Sequence, residues 1–150
     1  MNIEQKLQEL NITLPNISAP AASYVMVNQT GNLLFISGHL AKKDGMVWVG
    51  KLGENLTTAE GKQAARLIAI DLIATLKQHL GNLDKVKKIV KVMSLVNSSS
   101  SFTEQHLVTN GCSELLVQVF GDNGKHARSA FGVSQIPLGA CVEIEMIVEI

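Results

Sequence analysis

A single long helix is the strongest constraint that this sequence places on its fold. Thr57 and Glu60 have the spacing of a capping box, and Gly81 follows Leu80 as a helix stop. Between these signals the sequence predicts one helix of about six turns over residues 57–80. A helix of this length must bury an apolar side against another layer of structure.

The apolar residues of this helix fall on two sides. The stripe predicted to face a sheet consists of Ala65, Ile68, Ala69, Leu72 and Leu76. Leu67, Ile70 and Ile73 fall on the opposite, otherwise polar arc. A helix buried on one face only would not need them, so they predict packing against a neighbouring element or another subunit.

Shorter elements account for the rest of the chain. Apolar alternation and turn residues predict strands, and two segments have helical character. The elements are a short helix over 2–10, a hairpin over 24–40 that turns at 30–32, a short strand within 45–53, a strand over 84–98, a helix over 111–120, and strands over 125–133 and 140–150.

Two signals conflict before the second main helix. Ser101 and Glu104 form another candidate capping box, but Asn110–Gly111 is predicted to interrupt a helix that begins there. The helix is therefore expected to start near Gly111. Its predicted buried residues are Cys112, Leu115, Leu116 and Val119.

The order of elements predicts an α+β fold, in which helices cover one face of a sheet. The chain is expected to be one domain over 1–150, with residues 1–14 as an N-terminal helical extension. The alternating pattern of a nucleotide-binding sheet is missing, as are GxGxxG, P-loop and HExxH motifs.

Charge and hydropathy exclude several kinds of partner. The formal net charge is zero, which argues against nucleic acid as a partner. The longest apolar stretch is interrupted by Asp71 and is too short to span a membrane. Charged residues make up 17% of the chain, against roughly 25% in typical soluble domains, which hints at a surface covered by another subunit.

The two cysteines indicate a reducing compartment. Cys112 and Cys141 lie far apart, and the N-terminus lacks the pattern of a secretory signal. They are expected to be reduced, buried thiols in a cytoplasmic protein. No metal or cofactor site is predicted.

The stretch GKHARSAFGVSQIP, residues 124–137, places an arginine inside an apolar run. Alternation puts His126, Arg128 and Ala130 on one side of the strand, and antiparallel pairing with the last strand would bring Glu143 or Glu145 close to the arginine. Two interpretations remain open. Arg128 forms a cross-strand ion pair at a sheet edge, or its guanidinium binds a substrate carboxylate while a glutamate orients water.

Several segments resemble the Rid family, also called YjgF-like or L-PSP endoribonuclease-like. They are PAASYVMV, GNLLFISGHL, GNLDKVKKIVKVMSLVNSSSSF, NGCSELLVQVFGDNGKHARSAFGV, IPL and VEIEMIVEI. The segment FTEQHLVTNGCSELLVQVFGDNGKHARSAFGV is similar to a longer, divergent branch of that family. The resemblance implies a chorismate-mutase-like fold with a mixed β-sheet and two main helices on one face, assembled as a homotrimer with ligand clefts between subunits.

The same resemblance implies a set of site residues. Arg128 matches the arginine of an ARS motif that binds the carboxylate of 2-iminopropanoate-like substrates. Glu143 matches the glutamate that positions the attacking water, and Tyr24 and Ser37 match other cleft residues. No cofactor is implied.

Three further positions are predicted to bind substrate, although they depart from the family pattern. His39 stands where glutamine is usual, His126 is an additional residue, and either Ser113 or Asn110 corresponds to the usual cleft asparagine. Ala130 replaces the cysteine that is usual in the best-studied deaminases.

Three functions follow as alternatives. The first is cofactor-free hydrolysis of reactive enamines or imines of amino-acid metabolism to 2-keto acids and ammonia. The second is a regulatory trimer that binds small carboxylates without catalysis. The third, endoribonuclease activity, is disfavoured by the neutral net charge.

Overall fold

The described chain, residues 2–20 and 22–150 of a computed structural model, forms an α+β fold with a mixed five-stranded sheet. The helices are α1 (Ile3–Glu9), α2 (Thr58–Leu80) and α3 (Gln105–Phe120). The strands are β1 (Val27–Thr30), β2 (Leu33–Leu40), β3 (Lys42–Lys43), β4 (Met46–Val47), β5 (Lys88–Asn97), β6 (Ala127–Val133) and β7 (Val142–Glu149).

The main sheet has the strand order β1-β2-β7-β5-β6, and β3 and β4 form a separate pair. The β5–β6 pair is parallel and the other pairs are antiparallel. Alternate residues such as Val92, Ile144 and Met146 are buried in one core with residues of α2 and α3. The two main helices therefore cover one face of the sheet, as predicted.

No helix of residues 2–20 and 22–150 covers the opposite face of the sheet, and we call it the open face. Phe35 and Phe131, both 43% exposed, lie on it together with Glu143 and Glu145. Large apolar side chains on an uncovered sheet face are typical of an interaction surface.

Helix α2 forms where its capping signals predict it. The Thr57 hydroxyl accepts a hydrogen bond from the Glu60 amide at 3.2 Å, and Glu60 accepts one from the Thr57 amide at 3.0 Å. Gly81 ends the helix with a φ of 76°. All five residues of the predicted sheet-facing stripe are fully buried.

The second apolar arc of α2 is covered in part by the N-terminal region. Ile73 is fully buried, and Leu67 and Ile70 line a cavity of roughly 690 Å³ together with residues between 13 and 20. Of the two predicted partners for this arc, the structure favours a neighbouring element of the same chain.

The predicted break at Asn110–Gly111 is wrong, because α3 runs without interruption from Gln105 to Phe120. A Cβ at Gly111 would overlap the backbone carbonyl oxygen of Lys62 in α2, so the glycine allows the two helices to pack closely. The predicted Ser101–Glu104 capping box is also wrong. Glu104 is itself the N-cap residue, and its carboxylate accepts a hydrogen bond from Thr58 instead.

Gly111→Ala is expected to lower the free energy of unfolding by about 1–3 kcal/mol, because the added methyl group forces α3 away from α2. Helix propensity alone predicts the opposite sign, a gain of about 0.5–1 kcal/mol. Urea denaturation distinguishes the two, with Gln118→Ala on the exposed side of α3 as the control. A Gly111→Ala variant at least as stable as the wild type would contradict the close packing.

The predicted antiparallel pairing of the last two strands is also wrong. Strand β5 lies between β6 and β7, and β6 pairs with β5 in parallel, Val92 lying beside Arg128. The strand–helix–strand order of β5, α3 and β6 explains this, since a helical crossover connects parallel strands. Strand β7 instead inserts between β2 and β5.

No helix in the part of the chain that the structure describes has the length and apolar character needed to cross a membrane.

Candidate functional site

The Arg128 side chain points to the helix-covered face of the sheet and meets α3. Its Nη1 donates to Asn110 Oδ1 at 2.8 Å and to Ser113 Oγ at 3.3 Å, and Nη2 lies 3.5 Å from the carbonyl oxygen of His106. These partners are all neutral. Within the described residues no carboxylate forms an ion pair with Arg128, so the predicted cross-strand pair with Glu143 or Glu145 is not formed.

One edge of the Arg128 guanidinium is available to a ligand. The hydrogen bonds among residues 2–20 and 22–150 leave Nε–H and one Nη2–H without an acceptor. Nε and Nη2 lie on the same edge of the guanidinium, and that edge can bind a carboxylate with two parallel hydrogen bonds. Because Arg128 is half-buried, a carboxylate bound there would be partly shielded from water.

Ser113 and His126 continue the hydrogen-bonded cluster from Arg128. Ser113 Oγ lies 2.8 Å from His126 Nε2, and His126 Nδ1 lies 2.7 Å from the carbonyl oxygen of Gly124. Burial, and secondarily the charge of Arg128, lowers the pKa of His126 below its ordinary value. The imidazole is therefore neutral at pH 7.

Helix α3 brings the polar members of this cluster together. Asn110 and Ser113 are three residues apart and so share the helix face above β6. Cys112, on the opposite side, is fully buried, and burial raises the pKa of its thiol to about 12. Burial likewise raises the pKa of Cys141 to about 11, so neither cysteine offers a thiolate at neutral pH.

Glu143 lies on the open face of the sheet, over a glycine of the neighbouring strand. A Cβ at Gly38 would come within 2.7 Å of Glu143 Oε2, so the glycine makes room for the carboxylate. Burial raises the pKa of Glu143 above its ordinary value, and the nearby charge of Glu145 raises it further. The Glu143 carboxylate is therefore a stronger proton acceptor than an ordinary, fully solvated glutamate.

Tyr24 and Ser37 lie next to the Glu143 and Glu145 region of the open face. They line a cavity of about 680 Å³ together with Phe35 and Glu145. The Ser37 hydroxyl donates to the carbonyl oxygen of Val25 at 2.6 Å, and the Tyr24 side chain is 54% exposed. This cavity is open to solvent and could accept part of a ligand or of another subunit.

His39 is held within the core. It is 6% exposed, its Nδ1 lies 2.7 Å from the Ser37 carbonyl oxygen, and its Nε2 lies 2.8 Å from the Thr75 hydroxyl. Burial lowers the pKa of His39, which is neutral. His39 thus connects β2 to α2, and neither of its ring nitrogens is left for a ligand.

Arg128 and Glu143 do not meet within one chain. They lie on opposite faces of the sheet, separated by β5 and by three residues along the strands. That offset corresponds to about 10 Å across the strands and about 10 Å along them. One protomer thus carries two separate candidate half-sites, one around Arg128 and one around Glu143.

No three His, Cys, Asp or Glu side chains lie close enough together to hold a metal ion in the described ranges.

Comparison with known proteins gives relatives that align with most of the chain. Residues 4–150 match the family described as "YjgF/chorismate mutase-like, putative endoribonuclease". Protein TCP17 of Trypanosoma cruzi is 47% identical over 150 residues, which are 99% of this chain and 94% of TCP17. These matches include residues 4–14, which precede β1.

Two solved structures extend the comparison. Atu1372, a protein of unknown function from Agrobacterium tumefaciens, has a TM-score of 0.91 at 41% identity, covering 99% of this chain and 92% of that one. RidA from an Antarctic Psychrobacter species has a TM-score of 0.58 at 26% identity, covering 88% and 92%. Atu1372 is therefore much more similar in structure than RidA is.

Proposed function

This chain belongs to the YjgF/chorismate mutase-like family, also called the Rid family, and from that premise we propose that it hydrolyses small 2-imino acids and their enamine forms to 2-keto acids and ammonia. One observation carries the proposal. Arg128 is a half-buried cation with a free guanidinium edge and no carboxylate partner in the described chain. A 2-imino acid supplies a carboxylate of the size that this edge binds.

The reaction needs few protein groups. The carbon of a protonated imine is already electrophilic, so water attacks it directly. Ionised Glu143 takes a proton from that water and gives it to the nitrogen of the resulting carbinolamine. Glu143 then takes the carbinolamine hydroxyl proton as the carbon–nitrogen bond breaks, so that ammonia leaves, a ketone remains and the proton passes to ammonia or solvent. Arg128 holds the substrate carboxylate and so fixes the direction of attack.

The complete site requires more than one copy of the chain. Because Arg128 and Glu143 lie on opposite faces of the sheet, the Arg128 half-site of one protomer is proposed to meet Glu143, Tyr24 and Ser37 of a neighbour. The exposed aromatic side chains of the open face and the low charged fraction support such an assembly. We propose a homotrimer, in agreement with the resemblance that the sequence carries.

Asn110, Ser113 and His126 complete the Arg128 half-site by orienting its guanidinium. No cofactor enters the proposal. Cys112 and Cys141 are both free and buried, which suits a reducing compartment, and a cytoplasmic location is part of the proposal.

The proposal is tested by generating 2-aminoacrylate in place with a serine dehydratase and following pyruvate. Added protein is expected to accelerate pyruvate formation above the uncatalysed rate, and light scattering is expected to give the mass of a trimer. If stoichiometric protein binds pyruvate without accelerating its formation, the protein is instead a regulatory trimer for small carboxylates. Absence of both binding and acceleration would refute the small-acid site altogether.

A further inference from the structure

Ser113 and His126 have the geometry of a nucleophile and its general base. A carbonyl oxygen only accepts hydrogen bonds, so the 2.7 Å contact with Gly124 requires His126 Nδ1 to carry the ring proton. His126 Nε2 is then an acceptor, and the Ser113 hydroxyl, 2.8 Å away, donates to it. Hydroxyl, imidazole and an orienting third group form the arrangement that activates serine in covalent catalysis.

The orienting carbonyl is rigidly placed. Gly124 is buried, and a Cβ there would overlap the backbone of Leu116 in α3. The turn at Gly124 therefore packs directly on the helix that carries Ser113. This fixes the imidazole relative to the hydroxyl without help from a carboxylate.

The same chain contains a second histidine–hydroxyl pair, whose role is structural. His39 and Thr75 form the same pattern, with ring contacts of 2.7 and 2.8 Å, but they are only 6% and 3% exposed. Ser113 and His126 are half-buried instead, so their hydroxyl and ring lie within reach of a small ligand.

Arg128 adds a cation in direct contact with the hydroxyl, whereas the His39–Thr75 pair has only uncharged hydrogen-bond partners. Its Nη1 lies 3.3 Å from Ser113 Oγ, where a positive charge favours the deprotonated hydroxyl. Its free Nε–H and Nη2–H edge can at the same time hold a carboxylate. The lowered pKa of His126 keeps Nε2 unprotonated at neutral pH and ready to accept a proton.

We propose that Ser113 is a nucleophile activated by His126, and that the protein also hydrolyses small esters that carry a free carboxylate for Arg128. This activity is separate from imine hydrolysis, since it uses a covalent intermediate and does not involve Glu143.

The reaction balances in two steps. Ser113 Oγ bonds to the ester carbonyl carbon as its proton moves to His126 Nε2, and the bond to the alcohol then breaks as the alcohol oxygen takes that proton. In the second step water gives a proton to His126 Nε2 and attacks the acyl group. The bond to Ser113 Oγ breaks, the proton returns to Oγ, and a carboxylic acid leaves.

The test uses a matched pair of aryl esters, the mono-p-nitrophenyl ester of adipic acid and p-nitrophenyl hexanoate. Their acyl chains have equal length, and only the first carries a carboxylate. With the adipate ester we expect a burst of p-nitrophenolate that is stoichiometric with protein. With the hexanoate ester the release of p-nitrophenolate should be at least tenfold slower. Peptide mass mapping of the quenched protein should place the adipoyl group on Ser113.

Variants identify the groups involved. Ser113→Ala should lose the burst, and His126→Gln should slow it about hundredfold or more. Ser100→Ala and His79→Gln, which remove the same groups at exposed positions, should leave it unchanged. Acylation of the wild-type protein at another residue, or no acylation at all, would overturn the proposal without depending on how any variant folds.

The result is independent of the imine reaction. If the wild-type protein accelerates pyruvate formation but is never acylated at Ser113, only the proposal that Ser113 is a nucleophile is refuted. If Ser113 is acylated but the protein does not accelerate pyruvate formation from 2-aminoacrylate, only the proposal of imine hydrolysis is refuted.

Discussion

Arg128→Ala is expected to weaken pyruvate binding about ten- to hundredfold while the oligomer stays intact. The variant loses a charge-assisted pair with the ligand carboxylate, worth about 1.5–3 kcal/mol. The neutral partners Asn110 and Ser113 lose one donor each, and because both are half-buried, water can replace it. Isothermal titration calorimetry measures the affinity, and light scattering the oligomer.

Two further substitutions make the Arg128 result specific. Arg128→Lys keeps the charge but loses the planar fork, so its affinity for pyruvate should lie between those of the wild type and the alanine variant. Arg66→Ala removes an exposed arginine from α2 and should leave the affinity unchanged. If pyruvate binds Arg128→Ala as tightly as the wild type, the ligand carboxylate is held elsewhere.

Local signals explain why much of the fold could be predicted. The Thr57–Glu60 capping box and Gly81 bound α2 through contacts within a few residues, which sequence spacing reports directly. The role of Gly111, in contrast, cannot be read from its neighbours in sequence. As part of an Asn–Gly pair it predicts a turn, whereas its actual role is to give the Lys62 carbonyl space across a helix–helix contact. That role depends on a partner distant in sequence.

The candidate site was predictable only in part, because strand order decides what each side chain meets. An arginine in an apolar strand predicts that Arg128 needs an anion, and the structure gives it only neutral partners within the described chain. Adjacency in sequence predicts its pairing with Glu143 or Glu145, but β5 separates the two strands. For His39, an irregularity in β2 between Ile36 and His39 changes the alternation, so the ring turns into the core.

Under the proposed mechanism, the separation of Arg128 and Glu143 makes imine hydrolysis depend on assembly of the subunits. Phe35 and Phe131 on the open face remain 43% exposed in one chain, and burying them in a subunit interface would be favourable. The same assembly would shield Glu143, which is already half-buried, from bulk solvent. Dilution that dissociates the oligomer should therefore abolish imine hydrolysis more completely than it changes secondary structure.

Glu143→Gln is expected to lower kcat for imine hydrolysis by about 10²- to 10⁴-fold with little change in pyruvate affinity. The amide has the shape of the carboxylate but cannot take a proton from water. Glu149→Gln is the matched control, because Glu149 lies on the same strand and face, six residues after Glu143. Rates are compared after subtracting the uncatalysed hydrolysis.

The pH dependence of imine hydrolysis is an independent test of Glu143 as the base. Burial, and after it the charge of Glu145, raises the pKa of Glu143, and only the ionised form accepts a proton. The rate should therefore fall on acidification at a higher pH than for an ordinary carboxylate. Glu145→Gln removes the like charge, lowers the pKa of Glu143 and should move this acid limb to lower pH. An acid limb that stays in place in Glu145→Gln, or a Glu143→Gln variant with wild-type kcat, would show that another group activates the water.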